Sequence, residues 1–166
     1  VNLKTAALTP EIATLRAEDQ PSWAARAARM AYITDRNGFQ EVWLHEPGQT
    51  DRPLVTPRDF PPGTTNGFGN PDLSPDGARV IYRLITTGRP GGLWISAVAG
   101  GAPVRLVKGS KARESGGAWS PDGNWYVYLN YEDGRFSLNK VKTTGEAAPV
   151  VLREVPTILS FATNLS

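Results

Sequence analysis

The stretch "ESGGAWSPDGNWYVYLN", residues 114–130, passes from glycines through Ser-Pro-Asp-Gly into an apolar run. The tetrapeptide suits a tight reversal between antiparallel strands. Pro121 pre-sets φ at about −65° for the second turn position. Asp122 can accept nearby backbone N–H groups, and Ser120 can bond the turn through its hydroxyl. Gly123 takes up a positive φ that a Cβ would resist. The same four residues recur as Ser74, Pro75, Asp76 and Gly77. At both places they read as turn residues, in preference to metal-binding or catalytic carboxylates.

The recurrence extends well beyond the turn. At an offset of 46, Leu73 matches Trp119, Val80 matches Tyr126, Tyr82 matches Tyr128, and "APVRLV" (102–107) matches "APVVLR" (148–153). A worn third copy lies upstream: "PSWAARAARMAY" (21–32) aligns with "PDLSPDGARVIY" (71–82) at an offset of 50, pairing Pro21 with Pro71, Arg29 with Arg79 and Tyr32 with Tyr82. Its turn has decayed to Ala24-Ala25-Arg26-Ala27. Left-handed angles at Ala27 would cost about 1–2 kcal/mol, so a turn of different shape is expected there. "EVWLH" (41–45) then matches "GLWIS" (92–96), and "FSLNKV" (136–141) places Leu138 at the tryptophan position.

Each repeat reads as four short strands with dense turn signals, which indicates an all-β fold. "WAARAARMA" (23–31) looks helical by propensity, but its alignment with the other repeats makes it strand, turn and strand. Four-stranded units repeating every 40–50 residues or so mark β-propeller blades of antiparallel strands. Blades are expected at about 19–57, 70–107 and 116–153 of a single domain spanning 1–166. Residues 3–9 read as the outer strand of a preceding blade and 155–166 as the stub of a following one. Three blades and partial flanking blades do not readily close, so a fragment of a larger propeller is expected. The rival is a homo-oligomer that completes the ring.

"LSPDGARVIY" and "WSPDGNWYVY", each followed by a third strand and a Gly-rich turn, resemble the TolB-type, WD-repeat-like propeller repeats of bacteria. The resemblance implies a non-catalytic binding or scaffold module within a larger bacterial protein. Alternatives are the propeller portion of a serine peptidase or polysaccharide-active enzyme, or the sensor region of a kinase or transcriptional regulator. It slightly favours a periplasmic or extracellular location, with the compartment otherwise open.

Composition narrows the chemistry. The chain has 166 residues, 40% hydrophobic and 20% charged, an ordinary globular balance. Its net charge of +2 is too small to argue for nucleic acid. No run approaches the roughly 20 apolar residues of a membrane helix, and no signal peptide opens the chain, so an export signal would lie upstream. With no cysteine and the single histidine His45, disulfides, thiolate metal sites and histidine triads within the chain are disfavoured, and neither metal nor cofactor is expected. No Gly-x-Ser-x-Gly occurs, and no catalytic residue is assigned. His45 reads as a surface packing residue. "DRNG" (35–38) and "EDGR" (132–135) read as hairpin turns. The matched pairs Trp23 with Trp119 and Trp43 with Trp94 read as packing between blades; Trp125 leaves the repeat register.

Ligands of propellers usually meet loops on one rim. In the layout the resemblance implies, the loops entering each first strand share a face with those joining second and third strands. That rim would gather Arg36, Arg58, Arg89, Lys108, Lys111 and Arg113 as cations, with Phe60 and Phe68 as apolar anchors. The loop at 58–70 is longer than a turn requires. The expected partner is another protein or a small or anionic ligand.

Overall fold

The computed structural model describes residues 17–88, 91–108 and 113–155. Arg89, Lys111, residues 3–9 and all of 155–166 except Val155 lie outside them. Twelve strands form three antiparallel four-stranded sheets. The first holds β1 (Glu18–Trp23), β2 (Met30–Thr34), β3 (Glu41–His45) and β4 (Arg52–Val55). The second holds β5 (Gly67–Leu73), β6 (Arg79–Ile85), β7 (Leu93–Ala97) and β8 (Val104–Arg105). The third holds β9 (Arg113–Trp119), β10 (Trp125–Glu132), β11 (Arg135–Lys142) and β12 (Val150–Val155). Order within each sheet follows the chain, and the first strands of successive sheets touch, β1 against β5 and β5 against β9. These sheets are propeller blades.

Alternation along the second strands builds the core. On β6, Val80, Tyr82 and Leu84 face blade one, where they join Ala31, Ile33, Val42, Leu44 and Val55. Ile81 points the other way and packs with Leu93 and Ile95 against Tyr126, Tyr128 and Val141 of blade three. Successive side chains of a strand leave opposite faces, so a blade with neighbours on both sides must be apolar on both. Each such side chain, fully buried, contributes about 1.5–3 kcal/mol.

The Ser-Pro-Asp-Gly turns have one geometry. Gly77 and Gly123 take φ of 69° and 73°. Gly77 N donates to Ser74 O at 2.8 Å, and Gly123 N to Ser120 O at 2.9 Å. The serine hydroxyl donates to the aspartate, at 2.6 Å in Ser74–Asp76 and 2.5 Å in Ser120–Asp122. The worn turn differs. Ala24 N still closes on Arg29 O at 3.0 Å, but Ala27 keeps a negative φ and its carbonyl accepts from Arg29 N at 2.8 Å.

The third-strand register corrects one expectation. Trp43 and Trp94 lie opposite Tyr32 and Tyr82, but the residue opposite Tyr128 is Asn139, not Leu138. The tight β10–β11 hairpin, with Asp133 and Gly134 both at positive φ, sets that register. The first strands also carry bulges the sequence reading did not foresee. Gln20 and Asn70, each followed by proline, sit at φ of 53° and 51° where the pairing slips. Gln20 Oε1 accepts from Asn70 N at 2.5 Å, so one bulge grips the next.

A repeated arginine clamps each seam. Arg29 Nη1 donates to Gly77 O at 3.0 Å. Arg79, its repeat equivalent, donates to Gly123 O at 2.8 Å and Thr143 Oγ1 at 2.9 Å while lying over the Trp119 ring. Trp125 holds that position in blade three, with the Lys140 ammonium 4.5 Å from its ring centre. Trp119 Nε1 adds a bond to Asp72 O at 3.0 Å. Trp23, its repeat equivalent, faces away from blade two and is 53% exposed, so it packs no seam among the described residues.

Two predictions follow from these contacts. Arg79→Ala should lower unfolding free energy by about 1.5–3 kcal/mol in urea titration, since both its bonds are charge-assisted. A loss no larger than that of the exposed control Lys108→Ala would contradict the clamp. The turn carboxylates Asp76 and Asp122 are held below their usual pKa, first by the serine hydroxyl and then by a backbone N–H. A lowered folded pKa adds stability that is full above the unfolded value of 3.8 and fades as pH falls through the folded one. The variant with both Asp76→Asn and Asp122→Asn should therefore melt lower than wild type at pH 6, with the gap narrowing at pH 3. A gap independent of pH would contradict that role.

Candidate binding cleft on the rim

The loop joining β4 to β5 begins with a 3₁₀ turn at Pro57–Asp59. Thr56 Oγ1 accepts from Arg58 N at 3.2 Å, and Asp59 Oδ2 accepts from Thr56 N at 2.7 Å, a reciprocal cap with proline at the first turn position. The chain then turns Phe60 inward. Its ring meets Phe68 at 5.8 Å and Trp94 edge-on at 5.0 Å, wedging the first seam. Beyond Pro61 and Pro62 the loop re-enters at Gly67, whose φ of 152° and bare Cα accommodate the Gln40 side chain; a Cβ there would collide with it.

Gln40 belongs to the β2–β3 loop, and between the two loops lies a cleft of about 1280 Å³. Phe39, Pro57, Pro61 and Pro62 give it apolar walls. Its buried lining is Phe60, Glu41 and Gly67. Glu41 Oε2 accepts from Asn37 Nδ2 and Trp43 Nε1, both at 2.8 Å, so this carboxylate is already engaged. Arg58 is exposed at the edge, and its guanidinium has no bonding partner among the described residues. The arrangement offers apolar surface, backbone and amide polar groups, and one available cation.

The structure redistributes the expected rim residues. Phe68 is not an anchor on the rim: it is 1% exposed, in the core of the first seam, because alternation on β5 turns it onto that face. Phe60 is 7% exposed, a core wedge whose edge reaches the cleft. Arg36 is not a free cation. Its guanidinium stacks 4.2 Å above the Trp43 ring, binds Glu18 at 2.9 Å and donates to the Tyr32 hydroxyl at 2.8 Å. Of the predicted cations among the described residues, only Arg58 lines the cleft. Lys108 and Arg113 are exposed on or near the approach to β9, away from it, and Arg113 lines a smaller hollow there.

His45 is buried, not superficial, and its Nδ1 lies 2.8 Å from Asp51. The Tyr32 hydroxyl donates to the same carboxylate at 2.7 Å. Burial first, and then that bond, push the Tyr32 pKa up. Glu18, Arg36, Tyr32, Asp51 and His45 thus form one polar network on the face of blade one opposite its first seam. Among the described residues no group of three or more His, Cys, Asp or Glu is placed to hold a metal ion. Phe39 and Glu41 went unassigned in the sequence. Phe39 beside the Asn37-Gly38 turn was the available signal for one of them.

No known sequence family matches the chain, and no curated protein does. Solved structures do. A TolB-assigned protein from Agrobacterium tumefaciens superposes with a TM-score of 0.66 at 16% identity, over 86% of this chain and 50% of that one. The fold is that of a β-propeller. TolB from Acinetobacter baumannii matches this propeller at a TM-score of 0.59 and 18% identity, over 78% of this chain and 30% of its own. A prolyl endopeptidase matches at 0.61 and 17%, over 84% and 22%. The chain thus spans half or less of each of these proteins, and at such identities the likeness is one of fold.

Truncating the wedge, Phe60→Ala, should cost this propeller about 3–5 kcal/mol in chemical denaturation, as a buried aromatic does. Phe39→Ala, on the exposed wall, should stay within about 0.5 kcal/mol. Similar losses for the two would mean that Phe60 does not carry the seam.

Proposed function

We propose that the chain is a non-catalytic TolB-type binding module of a larger bacterial protein, and that the rim cleft at the first seam takes an extended segment of a partner protein. The cleft itself carries this reading. Proline and phenylalanine walls suit an apolar peptide stretch without demanding one fixed shape. The exposed Arg58 suits a carboxylate within that stretch, as a charge-assisted and potentially bidentate donor. The 3₁₀ cap and the buried Phe60 hold the loop in place, so little ordering is needed on binding. The likeness to TolB structures supports the module reading.

A second reading has one observation in its favour. The prolyl endopeptidase likeness, and that of an acylaminoacyl peptidase from Pyrococcus horikoshii over 84–85% of this chain, admit the propeller portion of a peptidase. In that case the reacting groups belong to another domain, and the cleft serves substrate access.

Panning a random linear heptapeptide library against the immobilised chain tests the module reading. Enriched peptides should carry Asp or Glu beside apolar residues. They should bind at least about tenfold more weakly to Arg58→Glu, the scale of one lost charged hydrogen bond. Phe39→Ala should weaken them as well. The reading fails if nothing enriches, or if the enriched peptides bind both variants as they bind wild type.

A further inference from the structure

The second seam contains an unanswered charge. Glu114 on β9 is 1% exposed, and among the described residues neither of its carboxylate oxygens has a hydrogen-bond partner. Asn139 on β11 is 6% exposed, and its Oδ1 is also without one. The Tyr128 hydroxyl belongs to the same group. It interacts with the Asn139 side chain and feels the Glu114 charge. Burial is the main cause that pushes Tyr128 up to about 12, so it stays a neutral hydroxyl at physiological pH. A buried carboxylate with no donor is costly, and three acceptor atoms left open together require an explanation.

The repeats supply one. Glu18, Phe68 and Glu114 are equivalent positions, lying opposite Thr34, Leu84 and Asn130. Trp43, Trp94 and Asn139 are equivalent in the same way. Blade two fills this place with aromatic rings, Phe68 and Trp94 around Phe60. Blade one fills it with an ion pair, the Arg36 guanidinium on Glu18 and on the Tyr32 hydroxyl. Blade three keeps the glutamate and the tyrosine, but among the described residues no ring wedges this place and no arginine bonds the glutamate. Two residues past its second-strand partner, where Arg36 follows Thr34, stands Glu132.

Hollows adjoin the buried place. Glu114 lines a hollow of about 330 Å³ with Arg83, Arg113, Asn130 and Phe136. Asn130 and Phe136 separate it from a second hollow of about 560 Å³, which Asn139, Ser137 and Glu154 line. Arg83 and Arg113 both border the first hollow without bonding Glu114.

We propose that the head of the second seam is a recognition site for a guanidinium group, an arginine presented by a partner protein, with Glu114 as its counter-ion and Asn139 Oδ1 as a further acceptor. The arginine takes the place that Arg36 holds in blade one. A guanidinium offers planar paired donors to a carboxylate, which an ammonium does not, and Asn139 gives those donors an acceptor where Trp43 gives Arg36 a ring face. The site is separate from the rim cleft in position and opposite to it in charge preference. It does not depend on the cleft being occupied.

The test titrates the peptide acetyl-Gly-Arg-Gly-amide into the 15N-labelled 166-residue chain, following the Asn139 and Asn130 side-chain amide resonances. Saturable shifts are expected with the arginine peptide and none with its citrulline counterpart, which keeps the shape and loses the charge. Glu114→Gln should weaken binding at least about tenfold. It should also raise the melting temperature of the free chain, because it removes a buried charge that has no partner. Glu114→Phe, which installs the blade-two residue, is a second variant that should fold and not bind. The proposal is overturned if the arginine peptide gives no saturable shift, or if Glu114→Gln binds it as wild type does. It is equally overturned if calcium chloride shifts these resonances and the arginine peptide does not.

Discussion

Everything in this fold depends on one constraint: a blade between two others must bury both of its faces. On β6 this is met residue by residue, with Tyr82 and Leu84 directed to one seam and Ile81 to the other. A strand in that position cannot follow the apolar-polar alternation of a sheet with one wet face. Some of the polar groups that remain bond across the seams: Gln20 to the Asn70 backbone, Arg79 to Gly123, Trp119 to Asp72. Apolar packing sets the spacing of the blades, and these bonds fix how one blade registers on the next.

Within that frame the functional possibilities lie where a seam departs from its neighbours. The first seam is closed at its head by Phe60, and the loop that delivers this ring is also the wall of the cleft. Stability and the proposed recognition therefore share residues 56–66. The second seam has no such ring, and its head is polar, with acceptors that nothing in the described chain meets. One architecture thus presents two chemically opposite surfaces through a few substitutions at equivalent strand positions.

The fold was legible because propeller repeats place turn chemistry and apolar alternation in short, local patterns. Ser74 to Gly77 and Ser120 to Gly123 announce their reversals without any tertiary information, and the alanines at 24, 25 and 27 announce the exception. What could not be read locally was the direction of side chains near seams. Phe68 sits in a glycine-rich stretch that looks like exposed loop, yet it lies on β5, and strand pairing turns it inward. Arg36 was counted as a rim cation because nothing nearby in sequence shows Glu18 and Tyr32 converging on it. The bulges depend on a slip in pairing that proline only hints at. Glu114 carries no local signal, since its meaning comes from the mismatch with Phe68 at the same offset.

The arginine clamps have a direction. Arg29 and Arg79 each reach forward to the turn glycine of the following blade, and each such turn accepts from the blade behind. A blade therefore carries a donor side and an acceptor side, and the array has a polarity like that of a hook-and-eye chain. A transplanted or duplicated blade would be compatible only when inserted in the same sense, with an arginine behind it and a turn carbonyl ahead. Trp125, standing at the third hook position with Lys140 over its ring, puts an aromatic face flanked by lysine where the other blades have the arginine donor.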